Sequence, residues 1–198
     1  MRRFIPFFAV MVLLFLGCDT SSGNREGWLQ SPFEQGPGPQ GPGSNPGNYD
    51  AMEQEVYERT NDERQSNGLA PLTWCDGLAD CARAHSHDMC DRGFFDHVNP
   101  EGEDPTARGA AGHAGRFSFS PVVPTPYTGI AENIAHGLSS AEAVVQAWMN
   151  SPGHRANILN ANYTHIGVGN CGSTIQDANG RDHTGCGTHW TQNFGIRR

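Results

Sequence analysis

With 198 residues, a formal net charge of −8 and 21 acidic against 13 basic side chains, the chain is too acidic for nucleic acid to be an expected partner. All 13 basic residues are Arg, which excludes Schiff-base and general-base lysine chemistry. The roughly 150 residues from position 50 onward suffice for one domain, expected to be monomeric, that buries about two thirds of its unfolded surface.

At the N-terminus, Arg2 and Arg3 precede an apolar run over 4–16, then Gly17-Cys18, after which polarity rises at Asp19-Thr20-Ser21-Ser22. This pattern reads as an export signal over 1–17, too short to serve comfortably as a permanent membrane span. A small residue before a cysteine resembles the lipobox of bacterial lipoproteins, although Phe15 stands where Leu is usual. Cys18 is thus expected to become a lipidated N-terminus that holds the protein to a membrane of the bacterial cell envelope; ordinary secretion is the alternative. Loss of Arg2 and Arg3 with the signal would take the charge from −8 by two units to −10. Residues 18–49, centred on Gly36-Pro37-Gly38-Pro39-Gln40-Gly41-Pro42-Gly43, carry too little apolar surface to order themselves and read as a tether.

The folded domain is expected over 50–198. Asp50 and Glu53 resemble a capping box, and Met52, Val56, Tyr57 and Thr60 share one face of a helix over 51–66 that Asn67-Gly68 stops. A second helix opens near Asp76, and Leu78, Ala82, His85, Ser86 and Met89 turn inward before Gly93. Asp104-Pro105 starts a short third helix, and the Gly- and Pro-rich stretch 112–128 reads as irregular. A strand or strand-to-loop segment follows over 129–135. Ser139 and Glu142 cap a helix with a Val144, Val145 and Trp148 stripe, which Pro152 ends. Two β-rich runs, 163–170 and 188–194, read as antiparallel strands. The class is α+β, with helices on both faces of a small antiparallel sheet.

Five cysteines remain after Cys18. Cys171 and Cys186 flank a Gly-, Asp- and Asn-rich hairpin loop, and a disulfide there would contribute about 3 kcal/mol. Cys75, Cys81 and Cys90 cannot all pair among themselves. His183, Cys186 and His189 with Cys171 also offer soft ligands, but no CxxC or other closed zinc spacing accompanies them, so the sequence favours the disulfide over structural zinc.

Six blocks in order resemble the CAP superfamily, the cysteine-rich secretory, antigen 5 and pathogenesis-related proteins, in its bacterial branch. They are Asn61-Asp62-Glu63-Arg64 with Gly68-Leu69-Ala70-Pro71-Leu72-Thr73-Trp74, Ala84-His85-Ser86-His87-Asp88-Met89, Phe94-Phe95-Asp96-His97, Ala131-Glu132-Asn133-Ile134-Ala135, the stretch 148–159 containing Ser151-Pro152-Gly153-His154-Arg155, and His189-Trp190-Thr191-Gln192-Asn193-Phe194-Gly195. The resemblance implies a three-layer α-β-α sandwich with an open cleft. Of the family's cleft tetrad of two His and two Glu, it assigns His97, Glu132 and His154; Ser151 stands where the second Glu is missing. Ala131 stands where Gly commonly precedes the first Glu.

Two imidazoles and a carboxylate make a ligand set for a weakly bound Zn²⁺ or another divalent transition ion, with hydrogen bonding between the layers as the competing reading. The resemblance implies extracellular recognition without a common catalytic activity, so the expected function is binding of a lipid, peptide or envelope ligand rather than enzymatic turnover. A peptide or ester hydrolase using Glu132, His97 and His154 is one alternative, with Ser86 or Ser151 as conceivable nucleophiles, and lipid or sterol carriage another. Phe94, Phe95, Phe117, Phe119 and Tyr127 are candidates to line an apolar groove, with a place in the core as the stronger reading for most of them, and Phe117-Ser118-Phe119 is the candidate ligand-facing loop. Asn133 and Asn157 are expected to satisfy loop backbone groups, and Arg155 to pair with a nearby carboxylate.

Overall fold

The computed structural model describes residues 48–124, 126–185 and 187–197. The predicted signal, Cys18, all but the end of the tether and Cys186 lie outside the described residues, and the predicted Cys171–Cys186 bridge lies outside them with Cys186. No disulfide joins two of the described cysteines. No helix among the described residues is long and apolar enough to cross a membrane.

In chain order the elements are α1 (Asn48–Ser66), β1 (Thr73–Trp74), α2 (Asp76–Arg92), α3 (Pro105–Ala111), β2 (His113–Ala114), β3 (Phe117–Ser118), β4 (Tyr127–His136), α4 (Ala141–Asn150), α5 (Pro152–Ile158), β5 (His165–Asn170), β6 (Ile175–Gln176), β7 (Asp182–His183) and β8 (His189–Arg197). The main sheet runs β1-β5-β8-β4. β8 pairs antiparallel with both β5 and β4, whereas β1 lies parallel to β5, so the sheet is mixed rather than purely antiparallel. A two-residue strand leaves almost no periodicity in the sequence to announce it.

Alternation along the strands explains the three layers. Ile166 and Val168 point to one side of the sheet, into a core shared with Val56, Val144, Trp148 and Phe194. Gly167 and Gly169 point to the other, where α2 lies so close that a Cβ at either position would sit 2.1 Å from a helix backbone nitrogen. Only glycine permits that approach. Trp148 and Trp190 are buried, yet their indole N–H groups donate to Ile134 O at 3.1 Å and Leu138 O at 2.8 Å, so no polar cost offsets their apolar burial.

Local signals held for α2, which ends at Gly93 in the left-handed conformation (φ 67°), and for α3, whose Asp104 side chain accepts from Ala107 N at 2.8 Å. α4 is capped by Ser140 rather than Ser139, through a 3.3 Å bond from Ala143 N. Asp50 lies inside α1 instead of capping it. Glu53 is fully buried because its carboxylate accepts from Asn170 N (2.8 Å), Ser173 Oγ (2.6 Å) and Arg83 (2.7 Å), tying α1 to the end of β5. Pro152 does follow the end of α4, but as the first residue of α5, where its missing N–H costs nothing.

The stretch 112–128 is less irregular than expected: β2 and β3 form a hairpin. Phe117 is fully buried there, packed on His87 at 5.2 Å and His183 at 5.6 Å, which removes it from any ligand-facing loop. Tyr127 is also core. Of the aromatics proposed for an apolar groove, Phe95 stands out as half exposed.

Candidate functional cleft

β4 is an edge strand of the main sheet, and its alternation divides Ala131-Glu132-Asn133-Ile134 between the two helical layers. Glu132 is paired across the ladder with Asn193, itself opposite Gly167, so its side chain turns to the α2 side. Asn133 turns the other way. Its amide donates to His154 O (3.1 Å) and Gln192 Oε1 (3.1 Å), and Gln192 in turn donates to Thr60 Oγ1 (2.8 Å) on α1. Asn157 closes this network by donating to Asn133 Oδ1 (2.9 Å) and Glu132 O (3.2 Å). Both asparagines therefore serve backbone groups, as expected, and together they seat α5 against the edge strand.

His97, on the loop after α2, meets Glu132 as the resemblance implies: Nδ1 lies 3.0 Å from Oε1. The carboxylate is buried while the His97 side chain is 46% exposed, so the pair presents an imidazole to solvent from a fixed internal anchor. Three residues that sequence reasoning left out of the cleft complete this centre. Arg108, fully buried on α3, donates to Glu132 Oε2 at 2.6 Å, to His97 O at 2.6 Å and to Glu103 O at 3.0 Å. Reorienting the Asn193 amide lets it donate to Glu132 Oε2 at 3.2 Å. His85 stands 3.7 Å from Oε1 and bonds Asp96 O at 3.1 Å. The available signal for Arg108 was its place as the sole charge in a helix of otherwise small residues, Pro105-Thr106-Ala107-Arg108-Gly109-Ala110-Ala111.

Burial by itself raises the Glu132 carboxyl, but His85, the His97 hydrogen bond and the Arg108 guanidinium outweigh it, and the group is held below the usual carboxylate range. The Glu132 hydrogen bond raises His97 against the opposing effect of burial. Burial lowers His85 to about 4, leaving it neutral at physiological pH. His154, half-buried on α5, is lowered by burial first and by the charge of His97 second, which puts the two rings within electrostatic reach.

Glu132 spends one oxygen on His97 and the other on Arg108, and the donor atoms of His97, Glu132 and His154 do not gather within 4.8 Å of one another. As a three-ligand metal set the trio does not fit this arrangement, because Arg108 repels a cation from the carboxylate. Ser151, at the joint of α4 and α5, makes no side-chain capping bond and supplies no second carboxylate. Ser86 is buried against Gly169 O (3.0 Å) and Thr191 Oγ1 (2.8 Å). Among the described residues neither His97 nor His154 receives a bond from a hydroxyl or thiol. Burial pushes the Cys81 thiol up to about 12, which makes it inert. Arg155 is exposed and forms no ion pair among the described residues, contrary to the pairing expected for it.

Comparison with known proteins gives this geometry its family. The model described as "CAP: Cysteine-rich secretory protein family" matches residues 57–194. The Bacillus subtilis (strain 168) protein YkwD, described as uncharacterized, is 42% identical over 151 residues, covering 76% of this chain and 49% of its own length. YlbC, described as an uncharacterized membrane protein of the same organism, is 35% identical over 117 residues, covering 59% of this chain and 31% of its own. The chain thus spans about half or less of the curated relatives it matches. Among solved structures, an extracellular protein containing an SCP domain from Bacillus anthracis str. Ames matches at TM-score 0.58 and 30% identity, over 82% of this chain and 45% of that one. An outer surface protein of Borrelia burgdorferi shares the fold at TM-score 0.57 and 19% identity, over 78% of this chain and 99% of that one. The chain belongs to the CAP superfamily, the cysteine-rich secretory protein family, in company with these bacterial members.

Proposed function

We propose that the domain acts outside the cytoplasm as a binding module whose recognition centre is the cleft between His97 and His154. The carrying observation is that Glu132, buried and neutralised by Arg108, holds Nδ1 of His97 and so turns the other ring nitrogen outward. A carboxylate behind an imidazole fixes tautomer and direction, which suits recognition of a polar group or weak retention of a divalent transition ion by the two imidazoles. In this reading Glu132 supports a ligand rather than being one. Its low basicity and double engagement also make it a poor general base, which weighs against the hydrolase alternative. The burial of Phe117 and Tyr127 removes part of the lining that lipid carriage needs.

Zinc calorimetry on the full chain tests the cleft: the wild type is expected to show a weak heat component that His97→Ala/His154→Ala lacks, and identical isotherms in both proteins reject these imidazoles as an ion site. Turnover of a peptide and ester panel that disappears in Glu132→Gln would overturn the binding reading. Presentation at the envelope on a tether lipidated at Cys18 rests on the sequence pattern, and an extracellular relative supports export. Mass analysis of the mature N-terminus tests it; an unmodified Cys18, or cleavage elsewhere, rejects the anchor.

A further inference from the structure

Among the described residues, the most concentrated group of soft ligands lies outside the cleft, at the start of β8. Cys90 in the last turn of α2, Cys171 just after β5 and His189 at the start of β8 bring one ligand atom each to within 4.8 Å of one another. Cys171 Sγ and His189 Nδ1 are 3.9 Å apart. In a tetrahedral zinc site, bond lengths of about 2.3 Å to sulfur and about 2.0 Å to nitrogen place such atoms about 3.6 Å apart, and two sulfurs about 3.8 Å apart. Closing on an ion thus asks the three side chains to move by roughly 1 Å at most.

The surroundings are those of a prepared site. The His189 backbone N–H donates to Cys171 Sγ at 3.4 Å, an interaction that favours thiolate. Fully buried Asn170 holds both strand ends: its amide donates to Gly187 O (3.1 Å) and His189 O (3.1 Å), while its oxygen accepts from Gly172 N (2.6 Å). Gly185 passes so close that a Cβ there would meet Cys171 O at 2.8 Å and Cys90 Sγ at 3.1 Å, so a side chain at this position would crowd the Cys171 backbone and the Cys90 sulfur. Rings cover the imidazole: His136 lies 4.4 Å and Phe95 6.3 Å from His189, centroid to centroid.

We propose that Cys90, Cys171 and His189 form a transition-metal site, suited to Zn²⁺ over Ca²⁺ and Mg²⁺ by its two thiolates and one imidazole, that clips the end of α2 to the end of the sheet. Soft sulfur ligands disfavour Ca²⁺ and Mg²⁺. No part of this rests on the cleft: that site offers imidazoles without sulfur, and the difference gives the test its resolution.

The experiment measures metal content and intact mass of the full chain purified without chelator, alongside Cys90→Ser, His189→Ala and His97→Ala/His154→Ala. The expected result is about one zinc per chain in the wild type and the cleft double variant, with affinity lowered about 100-fold or more in the other two, since even second-shell losses cost 10–100-fold. Cobalt replacement supplies a readout independent of stability: a thiolate-to-metal charge-transfer band that weakens in Cys90→Ser and is untouched by the cleft variant. Circular dichroism on each variant separates lost ligation from lost fold. Absence of zinc from the isolated chain together with no cobalt band after reduction, retention of zinc in Cys90→Ser, or a disulfide mapped to Cys171 in the isolated chain would each overturn the site.

Discussion

Two histidine centres share the β4–β8 ladder. One sits where Glu132 faces Asn193, the other where His136 faces His189, four residues along and so about 13 Å away. The first is hard and self-contained: a buried carboxylate neutralised by a buried guanidinium, with one imidazole steered outward. The second gathers sulfur and imidazole without a carboxylate among its three members and needs a soft cation to unite them. Neighbouring positions on one strand pair thus acquire different chemistry from the helices beside them: α3 brings Arg108 to the first, and α2 brings Cys90 to the second.

Breaking the hard centre is expected to have the largest effect. Arg108→Met leaves Glu132 buried without its cation and should cost about 3–5 kcal/mol in denaturant unfolding, while adding Glu132→Gln recovers part of that loss. If the single variant costs nothing, the pair is not what fixes β4 to α3. Gly169→Ala comes next, since its Cβ must part β5 from Arg83 N; about 1–3 kcal/mol is expected from thermal melts. Asn170→Ala, which strands the buried Gly187 O and leaves His189 O with Cys171 N alone, should cost about 1–3 kcal/mol even without metal, and a smaller loss would mean that those strand ends are held by other contacts.

Acid sets the two buried histidines of α2 apart from His97. His85 and His87 are both lowered to about 4, chiefly by burial. Their contribution is complete above the ordinary histidine value of 6.5 and is lost as pH falls toward about 4, because only the unfolded chain then gains the protons. His87→Gln, which retains an N–H for Ser173 O, should flatten that acid lability in pH-dependent melts. His97 has the opposite sign. Its raised pKa stabilises the fold below about 6.5 and the benefit disappears as pH rises through the folded value. The effect should be the smallest here, under about 1 kcal/mol relative to His97→Gln, because solvent screens the half-exposed ring.

Much of the scaffold was legible because its signals are local. The Asp104 cap, the Gly93 stop and the Val144, Val145 and Trp148 stripe each lie within a few residues of the element they specify. The meeting of His97 and Glu132 was legible through family blocks, not spacing. Arg108 escaped because its partners are set by how α3 lies on β4. The grouping of Cys90 with Cys171 and His189 escaped for a related reason: motif spacing finds ligands close in sequence, whereas these come from three elements that only the layered packing unites. Pro152 was read as a stop alone because its second meaning, opening a helix, depends on the residues C-terminal to it.

The bare seam at Gly167 and Gly169 governs how such a domain can diversify. Where main chain rests on main chain, there are no rotamers to absorb a mismatch, and any bulkier residue must wedge two layers apart. Evolutionary novelty is thereby diverted from the helix–strand joint to its periphery, where the length and chemistry of connecting loops can drift while the central joint stays locked.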